Sequence, residues 1–439
     1  MEWTYSWLIS LILLGPPLIL YFIFHARRTR RLHSAQLRPP GPPGWPVVGN
    51  IFDLGELPHQ TLYYLRAKFG PVIWLQLGSV GTLVVNSADS AAKLFKNHDL
   101  AFSDRKCPEA LSVDNYNHGS VAIGNYSPYW RVFKRIGAME FNASKRVNES
   151  VDIRRKCVDN MIVWIEEAAK GGTNGEIEIV HFLFLMSFNV VGNIIFSEDI
   201  LKSESKEGKE FFDSMTKFVV WVGKPNISDF FPLLKSLDLL GIKRGTKKDL
   251  GNCLKIIENF VKERRQRGSR RVITEIFLAG SETTSNSIEW IMSELLNNPN
   301  CMAKLKEELN RIVGRERKVE ESDMDKLPYL HAIVKESLRL HPPLPLLLPR
   351  NSMEDVNFNG YFIPKGTQVL VNAYAIGRDP EVWDDPLDFK PERFLDKNIE
   401  LAGQHFGVIP FGAGRRICMG FFFEPTSAST GHRDSCPYI

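Results

Sequence analysis

Cys418 is the residue of this chain best placed to do chemistry. It lies in the run Phe411-Gly412-Ala413-Gly414-Arg415-Arg416-Ile417-Cys418-Met419-Gly420. A lone cysteine framed by glycines, an aromatic ring and an arginine is poor disulfide material. It suits a thiolate held at the apex of a tight loop, where backbone comes close to sulfur. Gly412, Gly414 and Gly420 permit turns and an approach that a Cβ would block. Arg416 sets a fixed charge two residues before the sulfur. The plain alternative is a Gly-rich turn with an incidental free thiol. A second constellation is Ala279-Gly280-Ser281-Glu282-Thr283-Thr284, inside an apolar helical stretch. Thr hydroxyls can bond a carbonyl four residues back and weaken the helix, so a local opening is expected there, and an acid beside an alcohol can relay protons. Its plain alternative is a polar patch in a core helix. A third is Glu336 with Arg339, which pair at i, i+3 on a helix. Their positions lie off the apolar stripe of Leu330, Ile333, Val334 and Leu338, so periodicity alone predicts a solvated, weak ion pair.

The elements that must position these residues are mostly helical. The segments 72–77 and 82–85, around Gly78-Ser79-Val80-Gly81, read as two strands joined by a turn. Ser87 or Asp89 can cap a helix running to Asn97. Residues 330–341 read as a helix stopped by Pro342-Pro343, and 361–363 and 368–371 as short strands. The expectation is a mainly α body with small β-sheets and no internal repeat. With 439 residues, 44% of them hydrophobic, the chain can bury a large core. A net charge of +4 gives no reason to expect nucleic acid. The six cysteines (107, 157, 253, 301, 418 and 436) are scattered with no C-x-x-C pair, which argues for a reducing compartment and against a zinc site or disulfide framework.

Residues 3–24 are almost wholly apolar, long enough to span a bilayer. Arg27, Arg28, Arg30, Arg31 and Arg38 follow, which keeps the rest of the chain cytosolic by the positive-inside rule. The segment before the apolar run carries Glu2 and no Lys or Arg, and no small-x-small site follows, so an uncleaved signal anchor is expected rather than a cleaved signal peptide. Pro39-Pro40-Gly41-Pro42-Pro43-Gly44 is stiff and extended, a spacer between membrane and body.

The spacing F-x-x-G-x-R-x-C-x-G resembles the haem-binding loop of the cytochrome P-450 monooxygenases. The resemblance implies haem b with Cys418 as the axial thiolate, a ligand that favours O–O cleavage. Phe411, Gly412 and Gly414 belong to that loop. The segment from Ala279 resembles the family's distal segment, so Thr283 would bond dioxygen and Glu282 would feed protons. Glu336 and Arg339, taken with Pro391-Glu392-Arg393-Phe394, resemble the buried triad, here Glu336, Arg339 and Arg393. Trp130 with Lys134 is similar to the family's W-x-x-x-R helix, with Lys in place of Arg. Lys134, Arg350 and Arg416 would hold the haem propionates. Residues 111–121 fall at the family's variable substrate loop, and Leu346, Leu347 and Leu348 at a second contact segment. The wording around Phe102-Ser103-Asp104-Arg105, Tyr129-Trp130-Arg131 and Gly377-Arg378-Asp379-Pro380 resembles plant microsomal members, the group around geraniol hydroxylase. That implies an endoplasmic reticulum enzyme, single-pass with a cytosolic body. It would hydroxylate a small apolar molecule such as a terpenoid, using dioxygen and electrons from NADPH through a partner reductase. The regions expected are a transmembrane anchor (1–24), a basic and proline-rich hinge (25–50), a haem-thiolate domain (51–420) and an aberrant tail (421–439).

Two departures stand against this pattern. Only Val272 to Leu278 separates the basic run at 264–271 from Ala279, so part of the long distal helix is expected to be missing. After Gly420 the tail is polar, carries Pro425 and shows no helical period, so the helix whose amides would face the sulfur is expected to be missing too. The two readings are a monooxygenase with an imperfect gene model, and an incomplete, non-catalytic member that is at most a membrane-tethered haem binder. A member that rearranges peroxides fits the Glu282–Thr283 pair less well.

Overall fold

A computed structural model describes Gly15 and residues 37–141, 149–171, 177–197, 199–202, 205–263, 270–395, 399–401 and 403–420. The expected anchor at 3–24, Arg27, Arg28, Arg30 and Arg31, residues 264–269 of the basic run, the tail from 421 and Cys436 lie outside them. The helices in chain order are α1 (Pro58–Phe69), α2 (Ala88–Asn97), α3 (Pro128–Phe141), α4 (Val151–Gly171), α5 (Ile179–Phe196), α6 (Lys206–Gly223), α7 (Ile227–Phe230), α8 (Ile242–Glu263), α9 (Arg270–Asn297), α10 (Pro299–Ile312), α11 (Pro328–Leu340) and α12 (Ala373–Ile376). Small sheets complete a mainly helical body.

The larger sheet joins distant parts of the chain. Strands β1 (Val72–Leu77) and β2 (Val80–Val85) form an antiparallel hairpin with Leu77 opposite Val80. The turn is therefore Gly78-Ser79 alone, with Gly78 at φ +58°, and β2 starts two residues earlier than the sequence suggests. The side chain of Ser87, not Asp89, caps α2 by accepting the Ser90 amide at 3.2 Å. Further along come β3 (Asp104–Arg105), β4 (Arg350–Asn351), β5 (Val356–Phe358), β6 (Tyr361–Ile363) and β7 (Gln368–Val371). The five-stranded order is β1-β2-β7-β4-β3, with β2 and β7 parallel and the other pairs antiparallel. The two short strands β3 and β4 bring Arg105 opposite Arg350.

The helical core centres on α5 and α9. Apolar on nearly every side, α5 is the described helix long and apolar enough to cross a membrane, and more than half of it is buried in the body. Phe188 and Phe196 of α5 meet Phe277 of α9, the latter pair stacked with centroids 6.0 Å apart. Leu111, Val113 and Ile123 pack into the same cluster, which ties the irregular segment before α3 to the long helix. The three leucines 346–348 divide among separate clusters: Leu346 against the β1–β2 hairpin, Leu347 against α2 and β7, Leu348 against the helical core.

Candidate functional site

The Cys418 loop is built from its glycines outward. Gly412 and Gly414 take φ +71° and +69°, a region that costs an L side chain about 1–2 kcal/mol. A Cβ on Gly414 would stand 2.5 Å from an Asp99 carboxylate oxygen. Gly420 differs from expectation, since a Cβ there would meet the Cys418 sulfur at 3.7 Å, an ordinary contact. The Cys418 amide donates to the Phe411 carbonyl at 2.9 Å and closes the loop, leaving the cysteine exposed. Asp99, at the end of α2, accepts the Arg415 amide at 2.7 Å and pairs with Arg350 at 3.1 Å.

Four cations converge beside this loop. Arg416 donates to the carbonyls of Ser103 (2.8 Å), Val121 (3.3 Å) and Gly124 (2.7 Å), and its guanidinium lies 4.0 Å from the Trp130 ring centre. Arg350 donates to Ala413 and Phe102 carbonyls. Lys134, one turn along α3 from Trp130, donates to the carbonyls of Arg415 and, at 3.0 Å, Ile417. Arg105 donates to Ala122, Leu348 and Pro349 carbonyls. Burial, then mutual repulsion, lowers their pKa values: Lys134 to about 7 and Arg416 to about 9, with Arg105 held well below the usual arginine range. Burial alone lowers Arg350, against the pull of Asp99. Buried cations are ordinarily paired; these four are bonded mainly to carbonyls, with Asp99 as the carboxylate in direct contact. The set can hold a cofactor carrying carboxylates, and the Cys418 sulfur stands on the loop these cations brace.

The segment 279–284 sits inside α9, which runs without interruption, so the local opening expected there is not present. The hydroxyls do fold back as expected: Thr283 to the Ala279 carbonyl at 2.6 Å, Ser281 to Phe277, Ser285 to Ser281 and Ser287 to Thr283. Glu282 is half-buried, and burial followed by Glu289 raises its pKa from the ordinary glutamate value.

Glu336, Arg339 and Arg393 come together, and the solvated pair that periodicity predicts is wrong. Glu336 and Arg339 have no side-chain exposure. Arg339 forks onto both Glu336 oxygens (2.7 and 2.8 Å) and also donates to the carbonyls of Gly377, Pro386 and Asp388. Arg393 reaches Glu336 at 3.0 Å. The polar face of α11 is covered by these later segments, which the helix's own period cannot announce.

Residues 109–119 form irregular 3-10 turns, with Asp114 and Asn115 at positive φ. Their continuation, 120–122, meets a group that spacing did not single out. Glu275 of α9, 7% exposed, accepts from the Ser120 hydroxyl (2.5 Å) and from the amides of Val121 and Ala122 (both 2.8 Å). Asp99 and Arg105 were likewise not singled out as site residues, although Arg105 ends the run Phe102-Ser103-Asp104-Arg105 that resembles plant microsomal members.

The family model described as Cytochrome P450 matches residues 39–272 and 267–423. Iridoid oxidase of Catharanthus roseus is 52% identical over 442 residues, covering 92% of this chain and 85% of that protein. Geraniol 8-hydroxylase of the same plant is 38% identical over 427 residues, covering 91% and 85%. A zebrafish cytochrome P450 structure with progesterone superimposes with TM-score 0.67 at 25% identity, covering 83% of this chain and 88% of that one.

Proposed function

Since this chain belongs to the cytochrome P450 family and is a monooxygenase by that membership, we propose that it hydroxylates a small apolar terpenoid at the endoplasmic reticulum membrane. The observation that carries the reading is the ring of four buried cations around the Cys418 loop, with one carboxylate bonded among them. Cys418 would ligate the iron of haem b, and Lys134, Arg350, Arg416 and Arg105 would hold its propionates, with Trp130 under Arg416 and Phe411, Gly412 and Gly414 shaping the loop. Bound there, haem supplies the activation of dioxygen and the insertion of one oxygen atom into a C–H bond.

The chain's own groups serve that chemistry in separable ways. The Thr283 hydroxyl can swing from the Ala279 carbonyl to an incoming ligand. Glu282 keeps its proton to higher pH than an ordinary carboxylate, which suits a donor. Apolar side chains of the 111–121 segment and Leu348 exclude water around the substrate. The terpenoid class rests on the similarity to iridoid oxidase and geraniol 8-hydroxylase. We assign residues 1–24 to a single-pass anchor, 25–50 to the hinge, 51–420 to the cytosolic haem-thiolate domain and 421–439 to an aberrant tail. NADPH-derived electrons would arrive through a membrane reductase.

A second reading has its own support. The family model matches in two pieces that meet at 267–272, and an alignment of 442 positions exceeds the whole chain of 439 residues while taking in 92% of it. Both favour residues missing from this chain, and the first points to the start of α9; such a loss would leave at most a haem binder without turnover. The deciding experiment is the reduced, carbon-monoxide-bound spectrum of the full chain in microsomes, followed by turnover of geraniol with NADPH and reductase. A red-shifted Soret band lost in Cys418→Ser, with turnover, supports the enzyme. The band without turnover supports the second reading, and no band refutes the enzyme and leaves an incomplete member that does not hold haem.

A further inference from the structure

The carboxylate of Glu275 is buried in the wall between the long helix and the loop ahead of α3, and three donors converge on it. One oxygen accepts the Ser120 hydroxyl and the Ala122 amide, the other the Val121 amide. The Ser120 oxygen in turn accepts the Ile123 amide at 3.0 Å, so the loop is knitted to itself at the same point. Glu275, Ala279 and Thr283 follow at i, i+4 and i+8 and share a face of α9. On its other side the Val121 peptide is held by its carbonyl, which accepts from the Trp130 indole at 2.8 Å and from Arg416 at 3.3 Å. The Ala122 carbonyl accepts from Arg105 at 3.0 Å. Two successive peptides thus lie between the carboxylate on α9 and the cations of the candidate cofactor site.

The chemistry requires a carboxylate rather than any polar group. Three donors pointing at two oxygens are matched by an ionised acid, which only accepts. An amide of the same shape would offer one acceptor oxygen and aim its own NH₂ at a donor. Leaving a buried backbone N–H unpaired is costly, so the loop would move instead. The segment immediately before it, 111–119, contributes Leu111 and Val113 to the apolar cluster around Phe277, and Tyr116 packs against that cluster.

We propose that Glu275 is a positioning residue that fixes residues 120–122 against the helix bearing Thr283 and so sets the wall of the substrate pocket. The inference rests on the monooxygenase reading for what the pocket holds, though not for the tie itself.

The test compares the full chain with its Glu275→Gln and Glu275→Asp variants. Amide hydrogen exchange of a peptide spanning 118–125 is followed with and without haem. The carbon-monoxide spectrum is recorded, and binding and turnover of geraniol are measured on the haem-loaded protein. Glu275→Gln is expected to speed exchange in that peptide tenfold or more while the α11 peptides are unchanged. It should keep the carbon-monoxide band, and raise the geraniol Kd and KM about tenfold with a smaller change in kcat. Glu275→Asp should recover part of the protection. Unchanged exchange at 118–125 in Glu275→Gln overturns the proposal, as does faster exchange spread evenly over the protein. If the parent chain gives no carbon-monoxide band the monooxygenase reading fails, and the exchange comparison still decides the tie.

Discussion

By the resemblance of the Trp130 helix to the family's W-x-x-x-R pattern, Lys134 stands in place of an arginine, and the exchange has a measurable consequence. Its ammonium is buried beside Arg416 and Arg350, and burial first, then those two charges, bring its pKa down to about 7 from an ordinary 10.5; Asp99 and Cys418 act in the opposite sense. Between about pH 7 and 10.5 the folded protein therefore carries fewer protons at this group than the unfolded chain. Stability contributed by this group rises with pH across that window and is flat below pH 7. From pH 7 to 9 the rise is about 2 kcal/mol, the folded state alone having lost most of one proton. Lys134→Arg keeps the charge, does not titrate in this range and should abolish the rise. If Lys134 holds a haem propionate as proposed, the same linkage should lower haem affinity about fifty-fold from pH 7 to 9 in the parent chain and leave it level in the arginine variant. Urea unfolding of the haem-free full chain at pH 7, 8 and 9, followed by far-ultraviolet circular dichroism, gives the slope, and haem titration gives the affinity. Equal slopes in the two proteins would refute the reasoning, because every other titrating group is common to both.

Arg339→Lys gives up a two-pronged contact with Glu336 and the donors to three carbonyls, and should cost about 3–5 kcal/mol by chemical denaturation; a loss below about 1 kcal/mol would show that the buried network is not what holds α11. Gly414→Ala forces a side chain into φ +69° and against Asp99, so the thermal midpoint should fall by several degrees and haem retention with it, whereas Gly420→Ala, which meets only an ordinary contact, should leave the midpoint within about 2 °C. Glu282→Gln removes a group whose raised pKa makes the folded state hold its proton longer than the unfolded chain does. It should therefore remove a decline in stability as pH climbs out of the ordinary carboxylate range, keep the carbon-monoxide band and lower product formed per NADPH consumed; full coupling in that variant would take Glu282 out of the relay.

How much of this was legible depended on how local the deciding forces are. The β1–β2 hairpin, the Ser87 cap and the strands at 361–363 and 368–371 are set by turn chemistry and short-range alternation, and the sequence reading places them within two residues. The α11 helix is found with nearly its true bounds, yet its own period predicts a solvated polar face. That error has a physical origin. Glu336 and Arg339 are covered by backbone carbonyls at 377, 386 and 388 and by Arg393, segments about 40 to 60 residues later. Only the resemblance of Pro391-Glu392-Arg393-Phe394 to a known pattern revealed it. The opening expected in α9 fails for a related reason: each back-folded hydroxyl satisfies a carbonyl within the helix, and packing of Phe277 against Phe188 and Phe196 keeps the backbone regular.

The candidate site was legible where one short run carries its geometry, and silent where geometry arises from pairing. Cys418, Gly412, Gly414 and Arg416 fall within a ten-residue loop and announce themselves by spacing. Arg105 becomes a site residue because β3 pairs with β4 and sets it opposite Arg350. Asp99 does so because a glycine 315 residues away leaves room for its carboxylate. Glu275 does so because a loop 150 residues earlier folds its amides onto α9. These three are also the residues that join the site's parts. The Val121 peptide meets Glu275 through its N–H and both Trp130 and Arg416 through its carbonyl. Glu275 and the cation beside the Cys418 loop therefore share one peptide. A displacement of this peptide is felt at Trp130 and Arg416 as well as at Glu275.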